Sequence, residues 1–282
     1  MAAFRVRRAG QGLFRLDEQR DGAVEVRSLV GIPTPCVGRE GELTALTAMV
    51  DGCESESMAR AVLVFGRQGM GKSRLAHELL RRLRSARPGY TLLLGRGDPL
   101  RTESAGGLLA NLLCRLSGVN EQTSAAAAAQ LVAAMLQRYL PQRAPREREQ
   151  LVELLLHKND WWEPRSAEMS RLFPSAPLEQ AFVQILTALA TASPLLLVVD
   201  DFQWADTASI AALQQLLGEL AEHPLLLLAL ARPEVHSSLP RLWAEHRVHE
   251  LRLEPLLPAA CEKLLHATLG PQRGAQVTPY VL

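Results

Sequence analysis

Lysine is scarce in this sequence, which contains 31 lysines and arginines together but lysine only at Lys72, Lys158 and Lys263. Net positive charge is small as well, since the formal net charge is +1 at pH 7. A nearly neutral chain gives no overall electrostatic reason to bind nucleic acid or an anionic membrane. Because arginine supplies nearly all the other basic side chains, a lysine within a motif is a candidate functional residue.

Closely spaced cysteines and long apolar runs are also missing. Cys36, Cys53, Cys114 and Cys261 have neither the spacing of zinc ligands nor that of a redox pair. The longest apolar runs, such as 224–231, have the length of a strand and are too short to span a bilayer. The first residues lack the apolar core of a signal peptide. We therefore expect reduced thiols in a cytoplasmic protein that does not bind a membrane.

The stretch 62–83 combines an apolar strand, a glycine-rich loop and a helical pattern. Its loop 66–73, GRQGMGKS, fits the P-loop pattern G-x-x-x-x-G-K-[ST]. Glycines let backbone N–H groups approach phosphate oxygens, and the positive N-terminal end of the following helix faces the same phosphates. Lys72 is expected to reach the β- and γ-phosphates and Ser73 to ligate Mg²⁺. The alternative is a plain glycine-rich turn.

A continuous apolar run at 195–201, LLLVVDD, ends in two acids. Buried parallel strands have this composition, and carboxylates at the end of such a strand are costly unless they meet a cation or water. Together with the P-loop, the run predicts a Walker B strand in which Asp200 holds Mg²⁺ and Asp201 orients the attacking water. The alternative is an acidic strand end in a loop. Asp206 is expected to cap the next helix.

A second buried strand, 225–231, ends at Arg232. An arginine at the carboxyl end of a core strand could contact a γ-phosphate, whereas a surface arginine at the start of a loop explains the pattern equally well. The segment 95–98, GRGD, follows another predicted strand and could face the same cleft, because ligands of open α/β sheets bind at the carboxyl ends of the strands.

The periodicity of apolar residues gives the order of the elements. Strands are predicted at 62–65, 90–94, 195–201, 225–231 and 248–253, and helices from residue 40 and at 72–86, 105–117, 122–139, 145–158, 177–191, 207–222 and 259–268.

Several segments, taken in order, resemble the STAND class of AAA-like (Orc1-like) P-loop NTPases. Residues 37–43, VGREGEL, are similar to the box that precedes the P-loop in that class, although a short Gly-Arg-Glu also suits an ordinary helix start. Residues 197–206, LVVDDFQWAD, are the most specific match, because the QWAD tail goes beyond a generic Walker B strand. Residues 230–234 resemble the sensor strand and 251–256 the segment that leads to the lid. The resemblance covers residues 36–268.

This resemblance implies an α/β fold: a parallel sheet of order 5-1-4-3-2 flanked by helices, with a helical insertion. It divides the chain into an N-terminal linker or small β-ribbon at 1–35, an AAA-like NTPase domain at 36–254 and the start of an incomplete lid region at 255–282. Such modules occur in bacterial LuxR-type regulators and multidomain Ser/Thr protein kinases. Neither a kinase His-Arg-Asp pattern nor a winged helix is seen, so we expect a core cut from a larger protein or a shortened gene product.

The function implied by the resemblance is that of an ATP-binding signalling ATPase core, a regulatory switch with slow Mg²⁺-dependent hydrolysis. ATP and Mg²⁺ are the expected cofactors. ATP or ADP and other proteins or fused effector domains are the expected partners, without direct DNA binding by this chain. Two alternatives stay open: a nucleotide-binding interaction module without hydrolysis, and a DNA-associated AAA protein of the initiator type. The preference for ATP over GTP rests on the resemblance.

The resemblance also assigns roles to residues. Val37, Gly38 and Arg39 would lie on the adenine side, and Arg232 would sense phosphate. The expected catalytic residues are Asp201, Lys72 and Arg232, and the expected metal ligands are Ser73 and Asp200. The expected cofactor-binding residues are Val37, Gly38, Arg39, Gly66, Gln68, Gly69, Met70, Gly71, Lys72, Ser73 and Arg74.

Overall fold

A computed structural model describes residues 4–10, 13–19, 28–29, 32–33 and 35–281, apart from 100–101, 103, 121, 159–173, 240–241 and 243–247. In the N-terminal segment, β1 (Phe4–Gly10) and β2 (Leu13–Gln19) pair in antiparallel fashion. The short strands β3 (Ser28–Leu29) and β4 (Ile32–Pro33) also form an antiparallel pair.

A five-stranded parallel sheet lies at the centre of the remaining chain. Its strands are β5 (Arg60–Phe65), β6 (Thr91–Arg96), β7 (Leu195–Asp200), β8 (Leu225–Ala231) and β9 (Val248–Arg252). Their spatial order is β6-β7-β8-β5-β9. Counted along the chain within this sheet, that is 2-3-4-1-5, so the predicted order 5-1-4-3-2 is confirmed.

Helices cover both faces of the sheet because successive side chains of a strand point to opposite faces. Leu196 and Val198 of β7 pack in one core, under α1 (Glu40–Glu56) and α2 (Lys72–Ala86). Leu195, Leu197 and Val199 pack in the other core. The helices on that second face are α3 (Gly107–Leu116), α4 (Ala125–Tyr139), α5 (Pro145–Lys158), α6 (Ala176–Ala192) and α7 (Thr207–Glu219).

The helical insertion is formed by α3 to α6, which lie between β6 and β7 in the chain. After β8 comes the short α8 (Val235–Ser238), and after β9 come α9 (Pro258–Leu269) and α10 (Pro271–Val281), which pack on each other. Within the described ranges, none of the helices combines the length and the apolar composition needed to cross a membrane.

The bounds predicted for α2, α5 and β8 coincide with those in the structure. Helix α7 ends at Glu219, three residues before the predicted end at 222. Helix α10 was not predicted, since Pro271, Gly274 and Pro279 all weigh against a helix in the sequence. Pro271 is tolerated because it occupies the first helical position, where its missing N–H has no helical partner to lose.

Candidate functional site

The glycine-rich loop joins the end of β5 to the start of α2. Gly69 and Gly71 have φ angles of 85° and 87°, in the left-handed region that glycine adopts at little cost. The helix start at Lys72 has no side-chain cap. The N–H groups of Gly69, Gly71, Lys72 and Ser73 have no acceptor among the residues that the structure describes. Open N–H groups at a helix N-terminus are the donors that a phosphate binds, so the loop fits that group.

Lys72 lies against the loop and is only 8% exposed. Its Nζ donates hydrogen bonds to the carbonyl oxygens of Gly66, at 2.7 Å, and Arg67, at 3.1 Å. Burial lowers the pKa of Lys72, while the negative charges of Asp200 and Asp201 act in the opposite direction. The ammonium group is therefore held by the loop and lies within electrostatic range of the acidic end of β7.

Asp200 is the last residue of β7, and Asp201 follows it with a φ angle of 51°. Oδ2 of Asp201 accepts hydrogen bonds from Nε and Nη2 of Arg96, at 2.9 and 2.7 Å, and Oδ1 accepts one from Nε2 of Gln203 at 3.1 Å. Burial raises the pKa of Asp201, but the hydrogen bonds from Arg96 and Gln203 outweigh it, so the pKa lies below its usual value. Asp201 is therefore an ion-paired carboxylate.

The pairing of Arg96 with Asp201 shows that the segment 95–98 meets the acidic strand end, although no role was predicted for Arg96. The backbone N–H of Arg232 donates to Oε1 of Gln203 at 3.0 Å, so Gln203 links Arg232 to Asp201. Arg96, Asp201, Trp204 and Arg232 all line a cleft of about 460 Å³. The structure thus places Arg232 at the cleft, beside the acidic strand end.

Asp206 accepts more hydrogen bonds than the predicted helix cap requires. Its carboxylate is 3% exposed and accepts hydrogen bonds from the N–H of Ser209 at 2.9 Å and from its hydroxyl at 2.6 Å, which caps α7. It also accepts from the N–H groups of Gly106, at 2.7 Å, and Leu108, at 3.3 Å, at the start of α3. The buried Lys158 lies close by and donates to the carbonyl oxygen of Ala105 at 2.5 Å. The second cap depends on residues about 100 positions away, which no local sequence signal could reveal.

The box before α1 reaches the loop through Arg39, which is 6% exposed. Nη1 of Arg39 donates to Oε1 of Glu42 at 2.7 Å. Its Nη2 donates to the carbonyl oxygens of Met70, at 3.0 Å, and Glu254, at 2.6 Å. The guanidinium of Arg39 therefore bonds to α1, to the glycine-rich loop and to the segment that follows β9.

The remaining predicted site residues lie around this edge with differing exposure. Gly38, Gln68 and Ser73 are exposed, whereas Val37, Asp200 and Arg74 are partly buried. Nε of Arg74 is a buried atom without a hydrogen-bond partner among the described residues.

Comparison with known proteins gives one family match. The family model described as "AAA ATPase domain" matches residues 35–228. An uncharacterized protein of Rhizobium meliloti (strain 1021) is 32% identical over 214 residues, which make up 72% of this chain and 19% of that protein. This chain thus spans about a fifth of the length of that curated relative.

Solved structures of low sequence identity are also similar. The Aeropyrum pernix ORC1 protein in complex with DNA has a TM-score of 0.49 and 16% identity, over 84% of this chain and 50% of that chain. The Aeropyrum pernix ORC2 protein, in ADPNP–ADP complexes, has a TM-score of 0.43 and 18% identity, over 86% of this chain and 53% of that chain. This chain thus spans about half the length of each.

Proposed function

The chain belongs to the AAA ATPase domain family, and from this premise we propose that it is the ATP-binding core of a regulatory switch. The observation that carries the proposal is the loop 66–73, in which the N–H groups of Gly69, Gly71, Lys72 and Ser73 have no acceptor among the described residues. Lys72 is hydrogen-bonded to the same loop, near the negative charges of Asp200 and Asp201. This arrangement supports a binding mode in which the loop holds the β- and γ-phosphates of ATP next to Lys72.

Ser73 and Asp200 are the residues proposed to hold Mg²⁺. Magnesium binds proteins through few side chains and takes its other ligands from phosphates and water, so one hydroxyl and one carboxylate suit it. When bound, the ion neutralises charge on the β- and γ-phosphates. Val37, Gly38 and Arg39, with Gln68 and Arg74, would complete the nucleotide site around the loop.

Asp201 is the residue proposed to orient the attacking water. Oδ2 accepts both hydrogen bonds from Arg96 and Oδ1 accepts one from Gln203. Despite burial, these bonds hold the pKa of Asp201 below its usual value, which makes the carboxylate a weaker base. This pairing supports slow turnover, as suits a switch. It also favours a second candidate function, a nucleotide-binding module without hydrolysis.

We further propose that this core acts within a larger protein, with the division into 1–35, 36–254 and 255–282 given above. The chain matches only 19% of its Rhizobium meliloti relative, which leaves room for fused domains in proteins of that kind. On the sequence resemblance, those domains would be kinase or transcription-regulator effectors in a cytoplasmic signalling protein. Nucleotide exchange would then change how the core engages them.

Calorimetric titration of the whole chain with ATP and Mg²⁺ tests the proposed function. We expect one nucleotide per chain, weaker binding when EDTA removes Mg²⁺, and a rise in melting temperature with ATP concentration, because a ligand of the native state stabilises it. A chain that shows neither heat of binding nor a shift in melting temperature contradicts the proposal.

Asp201→Asn separates the two candidate functions. We expect it to leave ATP affinity nearly unchanged and to slow phosphate release by about 100-fold, because the amide is a poor general base. Steady-state phosphate release and calorimetry on the same samples measure both effects, with Asp51→Asn, in an exposed ion pair with Arg87, as the control. Equal turnover in parent and Asp201→Asn removes the catalytic role, and a parent that binds ATP without turnover selects the second candidate.

Arg232→Ala should weaken the preference for ATP over ADP. If the guanidinium contacts the γ-phosphate, its loss should lower the ratio of the ADP and ATP dissociation constants by about 10- to 100-fold, since a hydrogen bond to a charged group is worth roughly 1.5–3 kcal/mol. Calorimetry with each nucleotide measures the ratio. Arg143→Ala, which removes a partly buried arginine bonded to Gln184 and absent from the residues that line the cleft, is the control. Equal ratios in Arg232→Ala and the parent would mean that Arg232 does not sense the γ-phosphate.

A further inference from the structure

Residues 253–257, the strap, join β9 to α9 and run directly over the start of the glycine-rich loop. The N–H of Leu253 donates to the carbonyl oxygen of Phe65 at 2.8 Å. The carbonyl oxygen of Leu253 lies so close to Gly66 that a Cβ on this glycine would be 2.9 Å from it. The loop and the strap are therefore in backbone contact.

The same strap and α9 also pack on the box before α1. A Cβ on Gly38 would lie 2.6 Å from Cβ of Ala260 and 3.2 Å from Cδ2 of Leu256. Gly38 also has a φ angle of 69°, which favours glycine. Because Gly38 has no side chain, α9 can pack directly against the backbone next to Arg39.

Arg39 joins these pieces through hydrogen bonds. One nitrogen, Nη2, donates to the carbonyl oxygens of both Met70 and Glu254, which are 31 and 215 positions away in the chain. The other, Nη1, is held by Glu42 at 2.7 Å. Because the guanidinium is planar and rigid and its nitrogens bond in fixed directions, one partner cannot move far without straining the bonds to the others.

The partner in the loop, Met70, lies between Gly69 and Gly71, both with positive φ angles. A loop whose N–H groups face a phosphate needs donors for its carbonyl oxygens elsewhere, since buried carbonyl groups are rarely left unpaired. Arg39 is such a donor. A shift of the Met70 peptide on phosphate binding therefore also changes the hydrogen bond that Arg39 donates to Glu254 in the strap.

We propose that Arg39 is a positioning residue that couples the phosphate loop to the strap, and through it to the helix pair α9–α10. This inference rests on the proposed function, because the ligand that acts on the loop is ATP. Arg39 would connect the loop to the strap in addition to its proposed contact with the nucleotide. By thermodynamic linkage, an effector that binds α9 or α10 and moves them would change the affinity of the chain for ATP. ATP would change the affinity of the chain for that effector by the same factor.

Hydrogen–deuterium exchange of the whole chain, with and without ATP and Mg²⁺, tests the coupling in the parent, in Arg39→Lys and in a control, Arg60→Lys. Lysine keeps the charge and the partnership with Glu42 but lacks the fork that reaches two carbonyl oxygens. Arg60 binds Glu56 and is outside the loop and the strap.

In the parent and the control, we expect ATP to slow exchange at least about threefold both in 66–73 and in 253–257, because local opening reports local free energy. In Arg39→Lys, protection of the loop should persist and protection of the strap should be lost, with ATP affinity weakened by less than about tenfold. Strap protection that survives in Arg39→Lys, or is missing in a parent with a protected loop, overturns the coupling.

The samples without nucleotide separate this inference from the proposed function. There, Arg39→Lys should speed exchange in the loop and in the strap together, and Arg60→Lys in neither. Faster exchange in one segment alone, or in neither, overturns the coupling even if the parent binds ATP. Faster exchange in both segments of a chain that does not bind ATP supports the link through Arg39 and contradicts the proposed function alone.

Discussion

Lys72→Ala should abolish tight ATP binding, with a dissociation constant raised at least about 30-fold, since removing one partner of a buried charge contact costs roughly 2–5 kcal/mol. The physical reason is the position of the ammonium. It is 8% exposed, it bonds to the carbonyl oxygens of Gly66 and Arg67, and it lies near the charges of Asp200 and Asp201. A buried cation in this place offsets the negative charge that phosphates bring to an edge which already holds two carboxylates.

The control for this measurement is Lys263→Ala, because Lys263 is an exposed lysine on α9. Calorimetric titration of the parent and both variants with ATP and Mg²⁺ gives the three dissociation constants. Circular dichroism and thermal melting of the same samples check that Lys72→Ala still folds after losing two loop hydrogen bonds. An affinity for ATP that is equal in Lys72→Ala and the parent contradicts the assignment of the loop as the phosphate site.

The local elements of this fold could be predicted because their signals are local. The buried run of β8 and the amphipathic face of α2 depend on residues within one turn or one strand, and their predicted bounds agree with the structure. The order of the strands came from the resemblance instead, since apolar periodicity does not specify which strands are neighbours. The structure then confirmed this order.

The parts of the candidate site that could not be predicted depend on distant residues. The Arg39–Glu254 bond spans 215 positions, the Arg96–Asp201 pair 105 and the Asp206–Gly106 bond 100. No segment by itself indicated the distant partner: Arg39 stood at a helix start within the box that resembles the family, Arg96 followed a strand, and Asp206 was predicted only to cap the next helix. Their distant partners come within bonding distance only in the folded chain, where the parallel strands have their carboxyl ends at one edge of the sheet.

Asp206→Ala should lower the free energy of unfolding by about 3 kcal/mol or more, because each buried donor left without an acceptor costs roughly 1–3 kcal/mol. The carboxylate accepts from Ser209 at the start of α7 and from Gly106 and Leu108 at the start of α3, and it is 3% exposed. Its loss therefore uncaps two helices at once. Burial lowers the pKa of Lys158 and the charge of Asp206 opposes this, so the substitution also leaves a buried lysine with less compensation.

Urea unfolding followed by circular dichroism measures this loss, with a lower midpoint at an unchanged slope as the expected result. Asp206→Asn should cost less, about 1–2 kcal/mol, because one oxygen still accepts and the Ser209 hydroxyl can turn to accept from the amide. Ser124→Ala is the matched control, since Ser124 is an exposed cap whose hydroxyl, within the described part of the chain, accepts from Ala127 alone, at 3.4 Å. That single cap should cost about 1 kcal/mol. A cost for Asp206→Ala no larger than for Ser124→Ala would mean that α3 holds its place at the cleft without this carboxylate.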